Sequence, residues 1–370
     1  MKALFPILFV SVFILFHLYI YFRAVKRFDF SSDTKRYMKY FLIINMAGVI
    51  LYMFARYSIS IPNFIYLLLS LSIGVGFVLF IGALIYDLLH FLHLKTPLNN
   101  KRREFMKKSI DGGFLAAGVL YTGVGINNGC KIPEINPIEL KLDNLDKDIT
   151  IAQISDLHIG GLVDKHFVKS VVDKINTLGV DIVAITGDLV DAKIEMVEEA
   201  VDELGNLKAK YGAFFVVGNH EYFHGIENTM NYLEKQGIKV LKNESIKLDR
   251  ELYIAGVYDV FGERFGKYKP DIKPIKNTTP EDATTILLAH QPKYIDQLDG
   301  FKPSLLLSGH THGGQIYPFS YLVRLAQPYL KGLHKLDDNS YIYVNRGSGF
   351  WGPPMRIGSS SEVTYLRLKA

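Results

Sequence analysis

Four short apolar runs in this chain each stop at Asp, Asn or His, and that repetition restricts the possible folds more than any other feature. Ile151–Ile154 leads into Ser155-Asp156-Leu157-His158, and Val183–Thr186 into Gly187-Asp188. Phe214–Val217 leads into Gly218-Asn219-His220, and Leu305–Ser308 into Gly309-His310-Thr311-His312. A strand buried on both faces reads as a continuous apolar run and delivers its last side chains to the edge of the sheet. Four such strands describe a metal site at one end of a β-sheet.

The surrounding pattern alternates. Strand Thr150–Ser155 is followed by a helix over Asp164–Leu178, where Phe167, Val171, Val172 and Ile175 recur at helical spacing. Strand Asp181–Thr186 precedes a Glu- and Ala-rich helix over Ala192–Leu207, then strand Ala213–Val217. Beyond Asn231 the chain breaks into short strand-like pieces: 238–241, 246–248, 252–257, 285–289, 304–308, 341–345 and 362–368. A βαβαβ half followed by a mostly β half predicts two sheets packed face to face with helices outside, a four-layer αββα sandwich of the α/β class. Lys131–Leu145, with Pro133 and Pro137, reads as an extended linker into the first strand.

The groups at the strand ends are Asp156, His158, Asp188, Asn219, His220, His290, His310 and His312. Carboxylate and imidazole without thiolate suit Mn, Fe, Zn or Ni, whereas an all-oxygen set would suit Ca or Mg. The set is too large for one tetrahedral ion. Two ions about 3.5–4 Å apart would use it, and would clamp the attacking and leaving oxygens of an in-line displacement at phosphorus.

These blocks resemble the calcineurin-like metallophosphoesterases, whose five motifs occur in order as Asp156-Leu157-His158, Gly187-Asp188, Gly218-Asn219-His220-Glu221, His290 and Gly309-His310-Thr311-His312. The resemblance covers roughly Ile149 to Lys369. Gly313-Gly314-Gln315, Asn345-Arg346-Gly347 and Arg356 are similar to the membrane-anchored bacterial subgroup, which also contains hydrolases of UDP-2,3-diacylglucosamine. It implies that Asp156, His158 and His312 hold a first divalent metal, that Asn219, His290 and His310 hold a second, and that Asp188 bridges them. It further implies that His220 acts on the leaving oxygen, with water as nucleophile and no covalent enzyme intermediate. Arg346 and Arg356 are candidates for binding a substrate phosphate, or for surface salt bridges, and His224 for lining the cleft.

The first 130 residues have a different composition. They hold 14 Lys/Arg and 5 Asp/Glu, a net of +9; subtraction from the whole-chain 42 and 37 leaves 28 and 32, a net of −4, for residues 131–370. The basic excess therefore lies between apolar segments and is not a nucleic-acid surface. Ala3–Phe22, Tyr40–Ala55, Phe64–Tyr86 and Gly112–Ile126 are candidate membrane spans. Arg23, Lys26, Arg27, Lys35, Arg36 and Lys39 crowd the first connection, and Lys95, Lys101, Arg102, Arg103, Lys107 and Lys108 the third; the second offers Arg56. With all four segments spanning, connections one and three face the cytoplasm of a bacterial membrane and the C-terminal domain lies outside. Arg102-Arg103 reads either as ordinary flanking charge or as an internal twin-arginine-like signal. Asp87, His90 and His93 share one helix face, as a metal or proton site or as headgroup-level residues. The one cysteine, Cys130, excludes an intramolecular disulfide framework.

The expected organisation is thus a transmembrane anchor over 1–130, a linker over 131–148 and a phosphoesterase domain over 149–370. Its partners would be two divalent ions, a phosphorylated small molecule or lipid, and the membrane. A membrane sensor binding a phosphorylated ligand without turnover is the rival class. The apolar, aromatic and basic stretch Tyr317–Leu333 is open to two readings, a lipid-docking element or a cover for a sheet edge.

Overall fold

The computed structural model describes residues 4–55 and 61–370. Met1–Ala3, where the first apolar run begins, and Arg56 in the second connection lie outside the described residues. The chain divides into two compact units, Met1–Cys130 with Gly352–Met355, and Lys131–Trp351 with Arg356–Ala370.

The first unit contains α1 (Leu4–Arg23), α2 (Ser32–Ala55), α3 (Asn63–Lys95) and α4 (Asn100–Gly129). Among the described residues, these four helices are long and apolar enough to cross a membrane. α2 and α4 exceed their apolar runs because polar caps start them early. Ser31 Oγ accepts the Thr34 N–H at 3.1 Å, so α2 begins well before Tyr40. Asn99 accepts the Arg102 N–H at 3.0 Å, which puts Arg102 and Arg103 in the first turn of α4. A hydrogen bond between helices, His17 Nε2 to Asn45 Oδ1 at 2.9 Å, passes beside Gly76. The Asp87 face is an ion-pair site rather than a metal site. Asp87 accepts from Arg23 at 2.5 Å, Arg27 at 2.7 Å and Tyr19 at 3.1 Å, which consumes the carboxylate.

The second unit holds twelve strands: β1 (Glu134–Lys141), β2 (Ile149–Ile154), β3 (Ile182–Thr186), β4 (Ala213–Val216), β5 (Lys239–Val240), β6 (Glu244–Lys247), β7 (Leu252–Gly256), β8 (Thr284–Leu288), β9 (Leu305–Ser308), β10 (Gly332–Asp337), β11 (Ser340–Val344) and β12 (Glu362–Lys369). They form two mixed six-stranded sheets, ordered β1-β12-β2-β3-β4-β5 and β10-β11-β9-β8-β7-β6. Strand alternation builds the layers. Ile149, Ile151, Ile182, Ala184, Phe214 and Val216 join Ile286, Leu288, Leu305 and Leu307 in a core between the sheets. Their neighbours Ala152, Ile154, Val183, Ile185 and Phe215 point the other way, against Val168, Val171, Val172 and Ile175 of α5 (Lys165–Asn176). On the far side Leu287 and Leu306 pack with Ile272, Ile275 and Tyr294. The result is helix, sheet, sheet, helix.

Two expectations need correction. The stretch 131–148 is not simply a linker, because Glu134–Lys141 pairs in parallel along the whole of β12. Pro137 fits there because β1 is an edge strand, where a missing N–H costs no ladder bond. The helix expected over Ala192–Leu207 is broken into 3-10 turns at Ile194–Met196 and Asp202–Asn206 around a short helix, Glu198–Val201. Val197 leaves helical geometry at φ −128°, ψ 10°, so that Ile194, Val201 and Leu204 can all be buried. Packing outweighs the favourable Glu and Ala propensity here.

Candidate binuclear metal centre

The parallel strands β2, β3, β8 and β9 end side by side, and the turns that follow are pinned to one another by main-chain bonds. The Asp156 N–H donates to Gly187 O at 3.0 Å and the His158 N–H to Asp188 O at 3.1 Å. The Gly309 N–H donates to His290 O at 2.9 Å. Asp156 (φ 53°), His158 (52°), Asp188 (49°), His310 (69°) and His312 (49°) all adopt left-handed backbone. Each such residue costs on the order of 1 kcal/mol, and the surrounding pairing must hold it there. Strain concentrated in five converging side chains marks a functional site.

Among the described residues three clusters of donors result, the third being His158, Asp191 and His220. Asp156, His158 and His312 place ligand atoms within 4.8 Å of one another, as do Asp188, His290 and His310. His158 Nε2 lies 3.0 Å from His312 Nε2, and His312 Nε2 lies 3.5 Å from Asp156 Oδ1. In the second cluster His290 Nε2 is 3.2 Å from Asp188 Oδ2 and 3.3 Å from His310 Nδ1. Outer hydrogen bonds fix the ring orientations. His290 Nδ1 donates to Thr186 O at 2.7 Å, which turns its Nε2 toward the cluster. His158 Nδ1 meets Asp191 Oδ1 at 2.8 Å, with the same consequence.

These donors fit divalent cations. The nitrogens of His158, His312, His290 and His310 converge with the carboxylate oxygens of Asp156 and Asp188, a donor mixture that suits a divalent cation. Asn219 Oδ1 is buried with no hydrogen-bond partner, as suits a carbonyl ligand. When bound, two divalent ions would supply the charge that acidifies water and offsets the negative charge of a phosphate.

The electrostatics follow from burial and from these neighbours. Burial alone would raise the Asp188 carboxyl, but the imidazoles of His290 and His220 hold it well below the usual carboxylate range. For Asp156 burial wins and its carboxyl is raised. Burial opposes a charged His290, yet the Asp188 and Asp156 carboxylates carry it well above its ordinary value. Burial, helped by the His290 charge, takes His310 down to about 3, and His312 is likewise well below its ordinary value from burial and then His158. His310 and His312 are therefore favoured as unprotonated donors, whereas the neighbouring carboxylates favour a protonated His290.

His220 stands beside the centre. Its backbone N–H donates to Asp188 Oδ1 at 2.8 Å, its Nε2 is 3.8 Å from Asp188 Oδ2, and its Nδ1 is bonded to Asp191 Oδ1. The His224 ring is 6.3 Å from that of His220, half-buried at the same edge.

Two residues that sequence reasoning passed over complete the arrangement. Asp191 serves both His158 and His220, and their charges hold its carboxyl well below the usual range against the effect of burial. Nothing in the sequence distinguishes it from a loop aspartate. Glu221 accepts the N–H groups of Gly218 (2.6 Å), Asp188 (3.1 Å), Leu189 (2.8 Å) and Val190 (3.2 Å), tying the second ligand loop to the third. Burial, then repulsion by Asp188, pushes it up to about 7. Its place three residues after the cap Gly218 was a readable signal, the spacing of a glutamate that reaches back over a helix start.

Both arginines are engaged by partners within the protein. Arg356 is fully buried and donates to the carbonyls of Gly349 (2.6 Å), Arg346 (3.0 Å), Ser359 (3.2 Å) and Gly347 (3.3 Å). Its guanidinium is used up in shaping the loop under His312 and is not presented to a phosphate. Arg346 pairs with the buried carboxylate of Glu362 at 2.5 Å, which also receives Tyr343 and Asn136. Neither contact is a surface salt bridge.

Comparison with known proteins agrees with this geometry. The calcineurin-like phosphoesterase family pattern matches residues 149–314. An uncharacterized metallophosphoesterase of Helicobacter pylori (strain ATCC 700392 / 26695) is 39% identical over 349 residues, covering 94% of each chain. One from Campylobacter jejuni is 32% identical over 372 residues, 99% of this chain and 98% of that one. A zebrafish (Danio rerio) relative, "Transmembrane protein with metallophosphoesterase domain", is 29% identical over 97% of this chain and 87% of its own. The fold and site define a metal-dependent phosphoesterase, and the chain belongs to the calcineurin-like metallophosphoesterase family. Its four apolar helices and its transmembrane relatives make it a membrane-associated member.

Proposed function

We propose that this protein is a membrane-bound two-metal hydrolase of a phosphate ester or pyrophosphate carried by a lipid-linked or cell-envelope molecule. The observation that carries the reading is the pair of ligand clusters, Asp156–His158–His312 and Asp188–His290–His310, built on adjacent strand ends. Asn219 would join the second cluster in holding an ion, and Asp188 would be the carboxylate shared between the two. Mn, Fe or Zn suits this mixture of oxygen and nitrogen donors.

The chain's own residues divide the remaining work. Asp191 orients His158 as a ligand and pairs with His220 Nδ1, so that His220 can hold a proton at Nε2 for the leaving oxygen. Glu221 fixes the Asp188 loop through four backbone N–H groups. Buried Arg356 holds the loop beneath His312 in place. His224 borders the substrate side of His220.

The test is turnover of a bis-aryl phosphate by the full chain with added Mn. Activity should appear with the metal and disappear in Asp188→Asn; no turnover, or turnover unaffected by that change, would overturn the reading. The side of the membrane narrows the substrate. The basic first and third connections favour a domain on the outer face of a bacterial membrane. A C-terminal reporter active only outside the cytoplasm should therefore give signal and direct the search to envelope lipids and wall polymers. A silent reporter beside a working cytoplasmic one would refute this topology and put a UDP-2,3-diacylglucosamine-like substrate first.

A further inference from the structure

The segment that follows His310-Thr311-His312 is attached firmly at both ends and exposed in the middle. Gly314 packs so closely on Ser320 that a Cβ would strike it, and Thr311 Oγ1 donates to Leu330 O at 2.6 Å. Tyr329 and Leu330 are packed into the domain. Between these points lies the helix Ser320–Ala326, in which no residue is buried. Tyr321 is 59% exposed, Leu322 56% and Leu325 85%. Their spacing puts them on one face. A water-soluble domain gains nothing from holding such a face in solvent.

We propose that Ser320–Ala326 is an interfacial anchor that inserts Tyr321, Leu322 and Leu325 into an anionic lipid surface next to the catalytic loops. Two observations select a lipid surface over other occupants. Arg324 is the only charged residue of the helix, is exposed, and forms no ion pair among the described residues. A basic residue beside an apolar face complements anionic headgroups. The same chain carries four helices of membrane-spanning length, so a bilayer is the apolar phase always within reach of this domain.

The anchor also bears on the metal centre. Gln327, at the end of the helix, donates to Gln291 Oε1 at 3.1 Å and accepts the Lys293 N–H at 3.1 Å. Gln291 follows His290 directly and donates to Asp259 at 2.9 Å. A buried chain of amides thus joins the lipid-facing helix to a metal-binding loop. Insertion would steady that loop and present the site to phosphates in the headgroup layer. The inference rests on membrane anchoring and not on the identity of the substrate.

The experiment uses the full chain, one copy per nanodisc, in a Cys130→Ser background with Leu325→Cys carrying a polarity-sensitive fluorophore. In discs containing phosphatidylglycerol the label should shift to the blue and be quenched by lipids brominated on their acyl chains. In phosphatidylcholine discs both effects should weaken, and Arg324→Gln should remove the difference between the two lipids. The same label at Asp338, whose side chain is 92% exposed, should remain unquenched. An unquenched Leu325→Cys label in both lipids overturns the proposal. So does an environment shift seen only when several copies share a disc, which would give this face to a second copy of the chain. Retained turnover of the bis-aryl phosphate shows that the labelled protein is folded. Loss of that turnover in the parent would refute the hydrolase reading while leaving the quenching result intact.

Discussion

Asp191 Oδ1 lies 2.8 Å from His158 Nδ1, and this contact decides which nitrogen of the imidazole faces the candidate metal centre. The same oxygen meets His220, so one loop carboxylate supports both a ligand and the group assigned to the leaving oxygen. Asp191→Asn is expected to lower Mn affinity about 10- to 100-fold, the range seen when such outer partners are lost. Turnover should remain impaired at saturating Mn because His220 is also released. Mn titration of metal-stripped protein together with turnover at saturating metal checks both. Wild-type values in the two assays would remove Asp191 from the site.

Gly309 sits where a Cβ would strike Ser155 Oγ and the Asp156 carboxylate. Gly309→Ala should displace Asp156, weaken metal binding at the Asp156–His158–His312 cluster and cost about 1–3 kcal/mol of stability through overpacking. Thermal unfolding of the metal-free protein and Mn titration read the two effects separately. Unaltered metal binding would show that the loop yields without moving Asp156.

Arg356 offers a test between structure and substrate binding. Lysine would keep the charge but could not reach the carbonyls on both sides, leaving buried acceptors unpaired. Arg356→Lys should destabilise the domain by about 3 kcal/mol or more, as when a buried charge loses its partners. The KM of the folded fraction for a soluble aryl phosphate should stay unchanged. A raised KM with normal stability would restore the arginine to the substrate site.

Asp259 gives a pH dependence with a defined sign. Burial pushes its carboxyl up to about 6 from the ordinary 3.8, and one of its oxygens has no hydrogen-bond partner. As pH rises from about 4 to about 6 the unfolded chain loses this proton before the folded one does, so stability falls over that interval. The shift of roughly two units corresponds to about 3 kcal/mol. Asp259→Asn cannot titrate and should gain on the parent by up to that amount between pH 4 and 7. The measurement is unfolding of the metal-free protein in detergent across this range. Parallel profiles for the two proteins would exclude the effect.

How much of this was legible beforehand differs from element to element. The runs ending at Asp156, Asp188, Asn219 and His310 could be read because a buried strand is locally apolar and its ligands follow at once in the chain. The Glu- and Ala-rich stretch 192–207 could not, since the burial of Ile194, Val201 and Leu204 overrides a propensity that says helix. The first strand was hidden by Pro137, which argues against a strand everywhere except at a sheet edge.

The sequence by itself determined the apolar helices, the alternation of strands and helices, and the chemistry of the candidate ligands. Each of these is written in neighbouring residues: a run of apolar side chains, a period, a histidine beside a strand end. Only the tertiary structure decided that Asp191 supports His158 and His220, and that Glu221 grips the Asp188 loop. It also decided that Arg356 serves carbonyls, that Arg346 pairs with Glu362, and that Leu325 is exposed. Those choices depend on which strands lie side by side and in what register. Chain segments far apart in sequence meet only after both sheets have formed, so no local pattern encodes their partners.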